Sequence, residues 1–531
     1  MTKPWLHLTL LCSFSLPLLS NATAQAPSTP QKTANSRQLV DPRIHRVESE
    51  FPPILLGHDR SPIRSNLSTI MELFKVPAVS VAVIDDYKIA WAKGYGVTQA
   101  GGSMPVTTNT LFQAGSISKP VAAAAALHLV EAGRLSLDQD VNQKLKSWKV
   151  PENEFTKQQK VTLRRLMTHT AGVKVNSFYG YDVDDPLPTL IQVLKGEKPA
   201  NNEPIRIEYT PGSKMQYSGG GVTIEQQLMI DVTGEAFPQL MKEIVFDKLD
   251  MADSTFEQPL PPARAREATS GTYPNGTTMH GNWHIYPEMA AAGLWTTPSD
   301  LAKFAIEIAL SRRGKSNRIL SQPMATQMLT PEVESTEEPF GQMGLGFFID
   351  KSNPAEFGHG GSTWAFQAAL IAFADDGEGA AIMTNSDNGF YIMNMLIDSI
   401  AHEYHWNYKS LDQHAGALLG VIAMARGVQI ALQKYYDLKQ SPSSGYELDE
   451  SSLDQVGHTL LESGNTLDAI EVFKANAQNY PKSPDVYASL GEAYVRSGQK
   501  QLALENYEKS FALAPDNKDT VEAIKKLQQQ K

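Results

Sequence analysis

Ser116 and Lys119 stand three residues apart in Ser116-Ile117-Ser118-Lys119, ahead of an Ala-rich apolar run that continues to Gly133. The run and its closing glycine predict a helix over 119–133. At the start of a helix, residues three apart share one face, so the lysine amine can reach the serine hydroxyl. A serine is a poor nucleophile until a base removes its proton, and a lysine can do this once burial or neighbouring charge lowers its pKa. Backbone N–H groups at a helix N-terminus also point at a reacting carbonyl. The chemistry that this spacing allows is acyl transfer through a serine.

Two later clusters fit the same chemistry. Tyr217-Ser218-Gly219-Gly220-Gly221 precedes a second apolar helix. Glycines there let the backbone pass close to a ligand and leave the tyrosine exposed, and its phenolate near Lys119 could carry the proton to a leaving group. In His359-Gly360-Gly361-Ser362-Thr363, glycines beside a strand edge permit close backbone approach by a substrate. An N–H from this stretch would complete an oxyanion hole with that of Ser116.

Other patterns carry no chemistry. Ser497-Gly498-Gln499-Lys500 also reads Ser-x-x-Lys, but falls on an expected turn between helices where polar residues belong. His280 and His284 have the spacing of helical zinc ligands, yet Gly281-Asn282-Trp283 between them opposes a helix, and no His-Glu-x-x-His occurs. His402 and His405 read as surface residues. No Gly-x-Ser-x-Gly elbow is present. Neither a metal nor any other cofactor is expected.

The elements that must position these groups are legible in outline. Val79, Val81 and Val83, then Asp85-Asp86, then Ile89 and Trp91 read as two strands around an acidic turn. Ala368 to Met383 reads as a late hairpin, and Pro298-Ser299-Asp300 opens a helix with a good cap. Strands at both ends with helices between them predict an α+β fold, a mostly antiparallel, helix-covered sheet built from distant parts of the chain.

The chain has 531 residues, 47 basic against 58 acidic, for a formal charge of −11. That balance excludes nucleic acid as a partner, because such binding depends on Lys and Arg neutralising phosphates. Lys3, the apolar stretch Leu6–Leu19 and Ala22-Thr23-Ala24 read as a signal peptide over 1–24, with cleavage after Ala24. The stretch is too short to span a bilayer, so no stable membrane span remains after cleavage. The sole cysteine, Cys12, lies within it, leaving no disulfide or thiol chemistry in the mature chain. Residues 25–45 are Pro/Ser/Thr-rich and read as a flexible tether.

Near the C-terminus, Gly464, Ala469, Phe473 and Pro481 recur as Gly498, Ala503, Tyr507 and Pro515. The 34-residue period is that of tetratricopeptide repeats. Small residues there would let paired helices approach, and the aromatic would fill the gap left by the neighbouring repeat. The expected organisation is a catalytic domain over 46–405, a helical connector over 406–449 with a loop boundary at Ser441–Gly445, and an all-α repeat module with a capping helix over 450–531. Such a module offers a groove for a protein or peptide partner.

Taken jointly, Ser-x-x-Lys, the tyrosine motif and His359-Gly360-Gly361 resemble the class C β-lactamase-like serine hydrolases, a group including penicillin-binding proteins, D-aminopeptidases and esterases. Phe112–Ser116, Leu163–Gly172 and Ala292–Thr297 look like the family too, and the resemblance covers about residues 50–405. It implies a β-lactamase-like fold, with Ser116 as the acylated nucleophile, Lys119 and Tyr217 transferring protons, and His359 at the third-motif position. It also implies an oxyanion hole from the backbone of Ser116 and Ser362, and substrate-binding positions at Gly219, Gly361 and Thr363. Two departures stand out. Gly219 replaces the asparagine of the β-lactamases, and His359 replaces their lysine, so a substrate carboxylate loses a permanent cation. The expectation is an exported enzyme, periplasmic or extracellular, cleaving a small ester, amide or peptide. Alternatives are a β-lactamase or D-Ala-D-Ala carboxypeptidase, and, in another class, a non-catalytic sensor or scaffold that uses its repeats.

Overall fold

Strand β1 (Ala78–Asp85) and strand β2 (Lys88–Gly96) pair antiparallel around the turn at Asp86 and Tyr87, as the alternation implies. Alternation in β1 separates two apolar faces rather than an apolar face from a wet one. Val79, Val81 and Val83 enter one core, and Ala78, Ala82 and Ile84 enter another. A sheet covered on both sides demands this pattern.

A computed structural model describes residues 41–529 except 52, 57–59, 336–340, 409–414, 442–445 and 447. The expected signal peptide over 1–24, tether residues 25–40 and most of the loop boundary at 441–445 lie outside the described residues. The last tether residues differ from expectation: Pro42–Ser49 is a helix that packs on the helix Gly389–Tyr404 and buries Val47 in the same apolar core. A proline at N1 suits a helix start, and a buried valine is a reason for these residues to be ordered.

Short β3 (Phe112–Gln113) and β4 (Trp295–Thr296) pair with each other. The later strands are β5 (Val333–Glu334), β6 (Gly341–Met343), β7 (Phe348–Asp350), β8 (Glu356–Thr363), β9 (Phe366–Phe373) and β10 (Glu378–Thr384). With β1 and β2 they form an eight-stranded antiparallel sheet in the order β2-β1-β10-β9-β8-β7-β6-β5. The β9–β10 pair is the late hairpin. Residues 79 and 384 are thus neighbours in space, so closing this sheet needs both ends of the domain.

Helices α1 (Ser118–Glu131), α2 (Gly219–Thr233) and α3 (Pro298–Arg312) share the core on one side of the sheet, with α3 lying directly on the strands, and α4 (Gly389–Tyr404) covers the other face. Thr297 caps α3 by accepting from the Asp300 N–H, with proline at N1.

Beyond α4 the described chain is entirely helical. Helices α5 (Ala415–Arg426) and α6 (Val428–Lys439) precede α7 (Glu450–Glu462) and α8 (Thr466–Asn479). The latter pair recurs 34 residues on as α9 (Pro484–Arg496) and α10 (Lys500–Leu513), followed by α11 (Lys518–Gln529). These helices share a third apolar core. The aromatic residues pack closely within their own helical pair. A Cβ on Gly457 would lie 2.4 Å from Phe473, and one on Gly491 would lie 3.1 Å from Tyr507. Each ring therefore packs on a glycine of the preceding helix in its own pair. Gly464 and Gly498 instead occupy the turns, at φ +90° and +74°, a conformation that glycine adopts without steric cost. Ser497 and Lys500 flank the second of these turns. Among the described residues no helix is long and apolar enough to cross a membrane.

Candidate active site

Ser116 lies in a 3₁₀ turn, Gly115–Ile117, that feeds directly into α1. Ser116 therefore precedes the α-helix by one turn instead of opening it. The turn is anchored by Ser118, whose hydroxyl donates to the Gly115 carbonyl and accepts from the Leu294 N–H. Lys119 then projects from the first turn of α1, with Nζ 2.8 Å from Ser116 Oγ and 2.8 Å from the Ala291 carbonyl oxygen. Its side chain has no carboxylate partner among the described residues, and burial pushes its pKa down from 10.5 to about 7.

Two close approaches place the backbone opposite Ser116. Strand β8 pairs with β7 only near Phe357 and Gly358, and farther along its outer edge faces the Gly115–Ile117 turn. A Cβ on Gly361 would stand 2.0 Å from the Ala114 carbonyl oxygen, and one on Gly115 would stand 2.7 Å from Ser362 N. Gly115 also has φ +51°. Glycine at both positions is what lets the amide-bearing segments of Ser116 and Ser362 meet.

Tyr217 closes the third side. Its ring lies 4.9 Å from Lys119 Nζ, 6.1 Å from the ring of His359 and 4.4 Å from that of His169. Ser218 caps α2 by accepting from Gly221 N–H, so the glycines form the first helical turn rather than an exposed loop. They pack under residues 173–178. A Cβ on Gly219 would meet the Asn176 carbonyl oxygen at 2.9 Å and the Phe178 ring at 3.2 Å.

His359 is buried, and its Nδ1 lies 2.5 Å from the Gly360 carbonyl oxygen. Only a protonated Nδ1 can bond a carbonyl, so Nε2 carries the lone pair, and it has no hydrogen-bond partner among the described residues. Burial, then the charge of Lys119, hold the imidazole down at about 3. His359 is thus a neutral acceptor across ordinary pH.

Ser116, Tyr217, His359, Gly361 and Ser362 line one cavity of about 330 Å³. Lys119 lies beneath it. Gly219, expected to touch substrate, is covered by Phe178 and does not line the cavity. Thr363 is also buried, and its hydroxyl donates to Gln113. A larger cavity of about 580 Å³, around Arg46, Arg64 and Glu403, shares no residue with this one and holds none of the expected catalytic groups. His280 and His284 pair with Asp184 and Asp182 in a non-helical segment, and no metal-binding cluster occurs among the described residues.

His169 and Phe178 also shape this site, and neither stands out in the sequence as a functional residue. His169 lies within the family-like stretch Leu163–Gly172, and Phe178 lies in none of the motifs.

The sheet, its helical layers and this serine–lysine–tyrosine arrangement define a β-lactamase and penicillin-binding-protein-like fold. Residues 63–401 match the β-lactamase family model, and the chain belongs to that family. It is 27% identical over 249 residues to a β-lactamase of Pseudomonas fluorescens, covering 46% of this chain and 63% of that protein. The match therefore spans less than two thirds of that relative. It is 25% identical over 328 residues to penicillin-binding protein 4 of Amycolatopsis lactamdurans, covering 58% and 81%. The octameric penicillin-binding protein homologue from Pyrococcus abyssi superposes with a TM-score of 0.53 at 22% identity, covering 65% of this chain and 77% of that one. At that identity the likeness concerns the fold.

Proposed function

We propose that this protein is a serine hydrolase that cleaves an ester or amide through an acyl-enzyme on Ser116. The observation that carries the reading is the 2.8 Å contact between Lys119 Nζ and Ser116 Oγ, made by a lysine whose burial brings it to about 7. A neutral amine has two N–H donors and one lone pair. One donor serves Ala291, and the lone pair takes the serine proton as Oγ attacks the carbonyl. The oxyanion forms between the backbone amides of Ser116 and Ser362. Tyr217, beside Lys119, returns the proton to the leaving group, and water then releases the acyl group by the reverse relay.

The β-lactamase and penicillin-binding relatives support acyl transfer in general. Neutral His359 and covered Gly219 favour an esterase or peptidase over a β-lactamase, because a carboxylate would find no fixed cation at His359. The N-terminal pattern supports export to the periplasm or beyond. The 34-residue helical pairs support tetratricopeptide repeats that bind a protein or peptide.

The test is intact-mass analysis of the protein mixed separately with a penicillin and a p-nitrophenyl ester, alongside Ser116→Ala. The expected result is ester turnover that disappears in Ser116→Ala. Turnover that survives the substitution overturns the assignment, and a lasting penicillin adduct on Ser116 would narrow it to a penicillin-binding peptidase.

A further inference from the structure

The cavity at Ser116 does not end at the catalytic groups. In the β8–β9 register Gly360 lies opposite Ala369, Ser362 opposite Gln367 and Gly358 opposite Ile371. Directly paired residues share a sheet face, and Ile371 belongs to the core against α4. Gly360 and Ser362 therefore face the α4 side, whereas His359 and Gly361 face the other. The cavity wraps around the outer edge of β8, from Ser116, Tyr217 and His359 onto the floor formed by Gly360 and Ala369.

Its far wall is one stripe of α4. Phe390, Met393, Asn394 and Ile397 recur at helical spacing. The floor is low because the paired residues are glycine and alanine, and a Cβ added at Gly360 meets nothing within 4 Å. None of the lining side chains is a carboxylate, lysine or arginine, and the ionisable imidazole at the mouth is neutral. Small-molecule sites run from about 300 to 1,000 Å³ with mostly apolar walls, and this one fits that description.

We infer that the groove between the β8–β9 edge and α4 is a subsite for an uncharged, apolar group of the substrate, an aliphatic or aryl chain on the ester or amide whose carbonyl sits at Ser116. This rests on Ser116 acting as the nucleophile. The occupant is part of the substrate because Ser116 and the groove line a single cavity. Each methylene buried there should raise kcat/KM about fourfold until the groove is full.

The experiment measures kcat/KM for p-nitrophenyl acetate, butyrate, hexanoate and octanoate, and for acetate esters of ethanol through octanol. The protein, Ser116→Ala and Ala369→Phe are compared. In at least one series the value should rise tenfold or more with chain length. Ala369→Phe, which raises the floor, should cut the long-to-short ratio at least tenfold. Should Ala369→Phe fail to fold, Ile397→Ala, which deepens the wall, should move the optimum to a longer chain. Ser116-dependent turnover that is flat in both series overturns the subsite alone. No turnover of any ester likewise overturns the subsite, whereas turnover that persists in Ser116→Ala overturns the hydrolase reading together with it. A preference for carboxylate-bearing over apolar esters also overturns the subsite.

Discussion

His169 holds Tyr217 from both sides along the chain. Its carbonyl accepts from the Gln216 N–H at 2.9 Å, its Nδ1 accepts from the Ser218 N–H at 3.3 Å, and its ring lies 4.4 Å from the phenol. The backbone at His169 is left-handed, at φ +55°. Burial first, then nearby Lys119 and His359, hold its imidazole well below the usual histidine range, so it stays an acceptor. His169→Ala should lower kcat at least tenfold with a smaller change in KM, because Tyr217 loses its orientation. His169→Asn, which tolerates φ > 0 and offers an acceptor, should recover part of the loss. Equal losses in both variants, accompanied by a matching fall in stability, would mean that His169 only supports the fold.

Lys119 ties activity and stability to the same proton. In the proposed role of general base it must be neutral, so kcat/KM should climb with pH and level off above about 7. Lys119→Arg, whose guanidinium does not release its proton, should lose at least a thousandfold. Between about 7 and 10.5 the unfolded chain holds a proton on this lysine that the native state lacks. Stability from this group therefore rises with pH across that window, by at most about 1.4 kcal/mol per unit. Urea denaturation of the protein and Lys119→Met at pH 7 and 9 reads the difference.

Glu225 and Glu288 act in the opposite sense. Burial raises both carboxyls from 4.5 to about 8, so the native state retains protons that the unfolded chain releases. Their contribution to stability falls as pH rises from about 4.5 through 8. Glu225→Gln, neutral at every pH, should raise Tm more at pH 8 than at pH 5. Equal shifts at the two values would disprove the buried-acid account.

At the third motif, replacing His359 with lysine should restore a cation to the cavity mouth. His359→Lys should raise the ratio of penicillin acylation to neutral-ester turnover by about tenfold, an order-of-magnitude expectation for one charge-assisted contact. A stopped-flow acylation assay measures both, and an unchanged ratio would show that residue 359 does not face the substrate's anion.

The wall of the groove is also held from behind. Tyr391 on α4 bonds Thr459 on α7 at 2.6 Å, and a Cβ on Gly420 of α5 would lie 2.7 Å from the Tyr391 ring. Tyr391→Phe and Thr459→Val should each cost about 1 kcal/mol. The double variant should cost less than their sum, because both remove one bond. Additive losses in urea titrations would contradict a direct partnership.

Much of the site was legible because its chemistry is local. Ser116 and Lys119 are close through one helical turn, Tyr217 precedes its own helix cap, and Gly360-Gly361 marks a strand edge, all within a few residues of chain. The alternation of Val79, Val81 and Val83 likewise reports a pleated strand wherever its partners lie, and the 34-residue recurrence reports paired helices without any contact being known.

The remainder depended on packing between distant segments. That Phe178 fills the space over Gly219, that His169 brackets Tyr217, and that α4 walls a groove beginning at Ser116 all follow from contacts between parts of the chain tens to hundreds of residues apart. No local pattern encodes such neighbours. The sequence by itself determined that Ser116 and Lys119 would stand together and what the strand and helix periods are, because these are set by bonded geometry over one or two turns. Only the tertiary structure decided that His359 is neutral and that the cavity is apolar, because burial and the low dielectric around a side chain are properties of everything packed against it.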